Sequence, residues 1–291
     1  RPTEKETEPF GVNFSDSVPG LRNMPELAEV AFASKSWANG MGHKVLQVET
    51  LNASRVFRDL DPGLLKRGLR GSDLLESETH GKKMLFRFSG NRWLGLHLGM
   101  TGWLHREEAE HPTGRHDALI LRQDEQALVF RDPRQFGRVH YHRGKEPPPW
   151  WIDLPPEVHS REFTLQLVRN VLHRRKRALV KAVLLMQEFF PGIGNWMVDE
   201  ILWRARIHPA ERAGDLSPAK QRALWKETKF VAKGALSTVG KRGGDPPRKW
   251  LFHVRWKNGG KCPLSGTALL RETVAGRTTC WCPSRQRLKK S

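Results

Sequence analysis

Five prolines fall within ten residues of this chain, Pro147-Pro148-Pro149 and Pro155-Pro156. A proline fixes φ and carries no backbone N–H, so neither a helix nor an inner strand runs through such a stretch. Residues 145–156 therefore read as a linker, and the chain folds in separate pieces on either side. The two sides differ in pattern. Before the linker, residues 26–39 place Leu27, Val30, Ala31 and Trp37 at helical spacing and stop at Asn39-Gly40. Short runs of period two follow at Val45 to Leu51, Met84 to Phe88, Trp93 to Leu98, Ala118 to Leu121, Ala127 to Phe130 and Val139 to Tyr141. Gly, Asn and Asp punctuate them, so this side reads as an antiparallel β domain, sandwich or barrel, led by one helix. After the linker the pattern is helical to about residue 240.

Gly243-Gly244-Asp245-Pro246-Pro247 is a second break. Beyond it, Trp250 to Trp256, and Ala268 to Thr273 with Thr278 to Trp281, read as short strand pairs. The expected layout is an α+β multidomain chain. A polar extension covers 1–23 and is expected to be poorly ordered, a β domain covers 24–144, a helical domain 157–242 and a basic module 250–291.

The charge points to a polyanionic partner. The 291 residues carry a net +19, and residues 241–291 hold 13 Lys and Arg against 2 Asp and Glu. Cys262, Cys280 and Cys282 are an odd number near the C-terminus, which argues against a disulfide framework and fits a reducing compartment. No apolar run approaches the ~18 residues of a membrane span, and residues 1–23 lack the apolar core of a secretory signal.

Met24-Pro25-Glu26 carries the chemistry. If the working chain begins at Pro25, its nitrogen is a free secondary amine. An α-amino group titrates near 7.7–8.0, so roughly a tenth of it is neutral and nucleophilic at pH 7. Such an amine attacks an electrophilic sugar carbon and forms an iminium. Glu26 and Glu29 lie beside it as acid–base candidates. The plainer alternative is an ordinary helix start, with Pro at the first position and acids in the first turn.

Phe190-Pro191-Gly192-Ile193-Gly194-Asn195-Trp196, with Asp199-Glu200 and Ile207-His208-Pro209 after it, is the most specific stretch. It predicts a helix from about Arg177 to Phe189, a Gly-rich turn, and a second helix from about Trp196 to Arg206. The N–H groups opening the second helix, with Asn195, offer an anion site suited to a DNA phosphate. Asp215-Leu216-Ser217-Pro218 then reads as the cap of a third helix.

Met-Pro-Glu-Leu-Ala-Glu-Val, His97-Leu98-Gly99-Met100-Thr101-Gly102, Asp132-Pro133-Arg134-Gln135-Phe136-Gly137, Gly192-Ile193-Gly194-Asn195 and Ala275-Gly276-Arg277-Thr278-Thr279 together resemble the formamidopyrimidine-DNA glycosylase and endonuclease VIII family. The resemblance runs in order from residue 24 to about 286. It implies an N-terminal antiparallel β-sandwich with a leading helix, a helix–two-turn–helix domain and a C-terminal β-hairpin finger. It makes Pro25 the nucleophile at the sugar C1′ and Glu26 its acid–base partner. It matches Lys83 to the strand lysine at the phosphate beside the damaged nucleotide; Lys82, from its residue type and place alone, reads as an exposed strand charge. His97, Asn195 and Arg277 complete a phosphate clamp. Met100, Arg134 and Phe136 form the wedge that fills the gap left by a flipped base. Lys181 falls where the family places a basic helix residue near the site and counts among the DNA-binding candidates, whereas His173-Arg174-Arg175-Lys176-Arg177 reads as a solvated, DNA-facing surface.

Two departures stand out. Zinc-bearing members carry Cys-x-x-Cys twice in the finger, but here Ser265 follows Cys262 and Arg285 follows Cys282 at that spacing. The finger is expected to be zincless and to hold by packing Trp281, Val274 and Leu269; a metal, if bound, would use Cys262, Cys280 and Cys282, with His253 as a fourth candidate. Pro25 is also internal as written, and an X–Pro amide forms no iminium, so residues 1–24 are expected to be missing from the working protein. The resemblance then implies a cofactor-free glycosylase and abasic-site lyase that removes oxidised purines from double-stranded DNA as a monomer. It would be cytoplasmic and nucleoid-associated in a prokaryote. The alternative is a catalytically silent DNA-binding protein, blocked by its extension.

Overall fold

A computed structural model describes residues 25–51 and 54–288; the extension at 1–23 lies outside them. The N-terminal half runs α1 (Leu27–Ala38), β1 (Gln47–Thr50), α2 (Pro62–Leu69), β2 (Leu74–His80), β3 (Lys83–Phe88), β4 (Arg92–His97), β5 (Trp103–Glu108), β6 (Asp117–Arg122), β7 (Gln126–Arg131) and β8 (Arg138–Arg143). The strands make two four-stranded antiparallel sheets, ordered β1-β6-β7-β5 and β2-β3-β4-β8. Alternate residues of each strand turn inward. Phe86, Phe88, Leu94 and Leu96 of one sheet thus meet Leu119, Leu121, Leu128 and Phe130 of the other in one core. The domain is the expected β-sandwich.

The second half holds α3 (Pro149–Ile152), α4 (Leu165–Arg174), α5 (Val180–Leu184), α6 (Asn195–Ala205), α7 (Pro218–Ser237) and α8 (Val239–Arg242). A hairpin closes the chain, β9 (Leu270–Val274) and β10 (Arg277–Trp281), joined by Ala275 and Gly276, both left-handed. A two-residue turn with two positive φ values matches the twist of its strands. Asn195 opens α6 after the Gly-rich turn, and Ser217 caps α7 with Pro218 at its first position, as the sequence predicts.

The opening helix belongs to both halves. Leu27 and Ala28 sit in the helical-domain core, while Val30, Ala33 and Trp37 sit in the sandwich core. The first turn of α1 is therefore clamped at the junction, where the site lies.

Several sequence expectations need correction. The helix expected from Arg177 to Phe189 is the five-residue α5; the chain turns at Arg175 to Ala178 before it and at Leu185 to Phe190 after it. Trp250 to Trp256 holds a single 3₁₀ turn, Leu251–His253, rather than a strand, with Trp250 and Phe252 packed against Trp196. The linker is not featureless, because Trp150 and Trp151 ride on α3. Strands β2 and β5 carry charges on exposed edges, so they hide from an apolar pattern.

Candidate active site

Pro25 is buried where α1 begins, and Glu26 follows as the residue that caps it. Glu26 is 2% exposed. Its carboxylate accepts N–H groups from Gly194 (3.1 Å), Trp196 (2.9 Å) and Met197 (3.1 Å), the amides that open α6. Sequence reasoning reserved this helix end for a DNA phosphate; the structure fills it with Glu26 instead, because α1 packs end-on against the turn. Two glycines permit the approach. A Cβ on Gly194 would overlap the Glu26 carboxyl, and one on Gly192, whose φ is +84°, would meet Leu27 at 2.8 Å. Leu27 N–H closes the junction on Gly192 O at 2.9 Å.

Glu29 stands over the same spot. Its carboxylate accepts the Glu26 N–H at 3.2 Å and the Trp196 indole N–H at 3.0 Å. Burial pushes both acids up, Glu26 to about 8, with Glu29 adding to the rise at Glu26 and Lys82 and two α6 amides opposing it. A carboxyl that gains and loses a proton near neutral pH suits general acid–base work.

The lysine of the site is Lys82, not Lys83. Lys82 sits in the Gly81-Lys82 turn between β2 and β3, which abuts the Gly-rich turn before α6. Burial holds its ammonium below the usual range, Glu26 and Glu29 hold it up, and Arg277 presses it down again. Those four charges thus share one locality, drawn from α1, the β2–β3 turn and the finger. Lys83, one residue on, lies over the Trp150 ring at 5.7 Å, away from the acids, and feels burial alone. The step from turn to strand separates the two side chains.

His97 lies beside both lysines at the end of β4. Its Nδ1 accepts the Gly99 N–H at 3.1 Å, and burial, then Lys82 and Lys83, push it down to about 4, so it is neutral at pH 7. Asn195 meets the finger at Thr278, the residue after Arg277. Asn195 Nδ2 donates to Thr278 O at 2.9 Å, its Oδ1 has no partner among the described residues, and Arg277 is exposed at the tip of β10.

The expected wedge comes from two loops. Arg134 and Phe136 are exposed, with the guanidinium 4.8 Å over the Phe136 ring, and Met100 is half-buried. Buried Asp132 ties the loops together by accepting from Thr101 Oγ1 (2.9 Å) and Gly137 N (2.7 Å), a tether the sequence reading missed. Gln135, with φ +55°, turns back and accepts the Arg55 N–H at 3.0 Å.

Lys181 is not at the surface. It is 0% exposed, and its Nζ donates to Asp199 Oδ1 at 2.6 Å and to Thr278 O at 3.4 Å. It cannot reach a phosphate, since enclosure by α6 and the finger commits it to Asp199. Residues 173–177 are all exposed.

The finger packs Cys262, Leu269, Cys280 and Cys282 against Trp203 and Leu251. Trp203 Nε1 donates to Cys262 Sγ at 3.3 Å, and the Arg285 guanidinium lies 5.4 Å over the Trp203 ring. Of the three residues expected to hold the finger by packing, Leu269 does; Val274 is buried, while Trp281 leans on His208 at 4.3 Å. Among the described residues no group of three or more His, Cys, Asp or Glu is placed to hold a metal, and His253 is occupied by Pro246 O at 2.8 Å.

A sandwich, paired helices around a Gly-rich turn and a docked hairpin finger, with a buried acid on the second helix, define a helix–two-turn–helix protein. Residues 24–139 match the formamidopyrimidine-DNA glycosylase N-terminal domain, and residues 154–243 match the formamidopyrimidine-DNA glycosylase H2TH domain. The formamidopyrimidine-DNA glycosylase of Roseiflexus sp. is 33% identical over 274 residues, covering 91% of this chain and 100% of that protein. The chain belongs to the formamidopyrimidine-DNA glycosylase family. Among solved structures, the Lactococcus lactis enzyme bound non-covalently to DNA containing an AP site superposes with a TM-score of 0.81 at 26% identity, covering 90% of this chain and all of that one. MutM in complex with DNA containing carbocyclic 8-oxo-G gives 0.80 at 26% identity, with 91% and 100% covered.

Proposed function

We propose that this chain is a bifunctional DNA glycosylase and abasic-site lyase of base-excision repair, acting on oxidised purines in double-stranded DNA. The observation that carries the mechanism is the placement of Pro25 next to the buried Glu26 carboxyl, which three α6 amides fix in place and burial pushes up to about 8. In the active chain Pro25 is the terminus and its nitrogen is a free amine. That amine attacks C1′ of the flipped nucleotide, and the damaged base leaves with a proton. Opening of the sugar ring gives an iminium between Pro25 and C1′. Loss of a C2′ proton expels the 3′ phosphate, and a second elimination expels the 5′ phosphate. Glu26, protonated and then ionised, donates and accepts along this path. Lys82, His97, Asn195 and Arg277 hold the flanking phosphates, and Met100, Arg134 and Phe136 occupy the emptied base position.

The family match begins at residue 24, and the Roseiflexus relative is covered end to end, which supports Pro25 as the working terminus. A second reading, a silent DNA binder, rests on the peptide bond that joins Met24 to Pro25 in this sequence, since an amide nitrogen forms no iminium. Borohydride trapping on an 8-oxoguanine duplex decides between them. A chain beginning at Pro25 forms the trapped adduct and the chain beginning at Arg1 forms none; absence of adduct from both would leave only binding. N-terminal sequencing of native protein locates the start.

We read the protein as a monomer that uses no cofactor, with a zincless finger. Ser265, Thr267, Ser284 and Cys282 form a hydrogen-bonded cluster at 3.0–3.5 Å in the finger, which supports the zincless finger alone. Full nicking activity and an unchanged melting temperature after dialysis against EDTA would agree with it; loss of either would refute it.

A further inference from the structure

The outer face of the second sheet carries a cavity in which Lys83, Arg138, His140 and Trp150 have no part in the reaction at Pro25, although His97 and Phe136 at its edge do. The strand register places Lys83 opposite His97 and His97 opposite Arg138, and one step along it places Leu85, Gly95 and His140 side by side. These residues share the face turned away from the core. The short helix α3 then lays Trp150 across Gly95, where any Cβ would overlap the indole. Trp150, Phe136, Arg58, Lys83, His97 and Arg138 line a cavity of about 420 Å³, inside the ~300–1,000 Å³ range of small-ligand sites.

The lining is aromatic and basic, with no carboxylate in it. Asp59 pairs with Arg138 at 3.2 Å from outside the lining. Lys83 has no hydrogen-bond acceptor or carboxylate partner among the described residues. Burial holds His97 down to about 4 and lowers His140, so at pH 7 both imidazoles offer N–H donors rather than charge. Lys83 and Arg138 thus flank a neutral His97 in one row; Asp59 already partners Arg138, and the Lys83 ammonium is left to attract an anion. An exposed Phe136 and a half-buried Trp150 add π-faces to that anion site.

We propose that this cavity takes one unpaired nucleotide of the bound DNA, with its base against Trp150 and Phe136 and its phosphate on Lys83 and Arg138. The inference rests on the DNA-repair reading above. A paired base has both faces stacked within the duplex, so only an unpaired one, at a gap, bulge or strand end beside the lesion, presents a face to an indole. Because Phe136 and His97 are shared with the wedge and the clamp, the nucleotide lies close to the lesion along the DNA. The ligand class is a nucleoside phosphate delivered by a strand.

The test uses the chain beginning at Pro25 and lesion duplexes that carry one unpaired nucleotide at successive positions on each side of the lesion. One position binds roughly tenfold tighter than the fully paired duplex, the gain of about one stacked base. An abasic unpaired residue at that position gives no gain. Trp150→Leu erases the gain and Trp150→Phe retains it. If Trp150→Leu fails to melt cooperatively, Lys83→Met, which leaves the packing on Gly95 intact, erases most of it. No gain at any position, or a gain that survives both Trp150→Leu and Lys83→Met, overturns the proposal. A free deoxynucleoside monophosphate that abolishes the gain at micromolar concentration overturns it in favour of a small-molecule ligand. Failure to bind or nick even the paired lesion duplex instead sinks the repair reading, and this inference falls with it.

Discussion

Glu26 and Gly194 stand 168 residues apart in the chain, yet Gly194 donates its N–H to Glu26 Oε2 at 3.1 Å and leaves no room there for a Cβ. The acid beside Pro25 is thus held by the N-terminus of α6, a helix of the second domain. Gly194→Ala must displace the carboxyl or the turn. Nicking of an 8-oxoguanine duplex falls by about 10²–10⁴, as it does for Glu26→Gln, while affinity for the duplex changes only a few-fold. Single-turnover nicking and equilibrium binding on the same duplex check this. Wild-type nicking by Gly194→Ala would show that the carboxyl is not needed where it sits.

The pH dependence follows from two groups. The Pro25 amine must be neutral to attack, and an α-amine titrates near ~8. Glu26 must carry a proton to assist departure of the base, and burial keeps it protonated up to about 8. The rate therefore rises and falls around a narrow maximum near pH 8, with limbs that belong to the coupled pair. For stability the sign is the reverse of an ordinary ion-paired acid. A carboxyl raised in the fold contributes stability that is complete below its unfolded value, 4.5, and lost as pH climbs to about 8. Glu200, pushed up to about 7 by burial, acts in the same direction, while His97, pushed down to about 4, stabilises as pH rises from about 4 to 6.5. Glu26→Gln accordingly flattens the fall of melting temperature between about pH 4.5 and 8.

Lys82 and Lys83 separate in a direct experiment. Lys82 lies with Glu26, Glu29 and Arg277, so Lys82→Met weakens lesion-duplex binding, lowers the salt slope by about one, and cuts nicking. Removing its charge also lets Glu26 rise further, which moves the alkaline limb of the rate profile upward. Lys83→Met leaves that limb in place. Equal shifts in the two variants would contradict the assignment.

Much of this site was legible because its chemistry is written in short motifs. Pro25, Glu26, Asn195 and Arg277 stand in runs specific enough to place, whereas the amides after the Gly-rich turn read as a phosphate site because nothing in the local pattern shows that Glu26, 168 residues away, fills it. Adjacent lysines defeated the reading. Strand period two gives opposite faces to neighbours, but only the end of β2 at His80 shows that Lys82 is in the turn and Lys83 starts the strand. Lys181 read as a DNA contact near the site because its partner, Asp199, is 18 residues away on another helix. The role of Asp132 was hidden in the same way, since it joins two loops whose spacing in sequence says nothing of their contact.

Asp199 gives the last prediction. Its carboxylate receives Lys181 Nζ at 2.6 Å, Arg255 Nη2 at 2.6 Å and the Cys280 N–H at 2.9 Å, and all four groups are buried. One side chain of α6 therefore joins α5, the start of the C-terminal module and the finger strand that presents Arg277. Asp199→Asn leaves two buried cations without a countercharge, which costs about 3–5 kcal/mol. The melting temperature drops by on the order of 10 °C, and protease cuts the finger between residues 258 and 267 before the sandwich is attacked. Lys181→Met is milder, because Arg255 and the Cys280 amide still satisfy Asp199. Both variants lose affinity for the lesion duplex in proportion to finger cleavage, since Arg277 and Thr278, the partner of Asn195, travel with β10. An Asp199→Asn protein that melts as the wild type does, with its finger intact, would show that the finger docks by its apolar core alone.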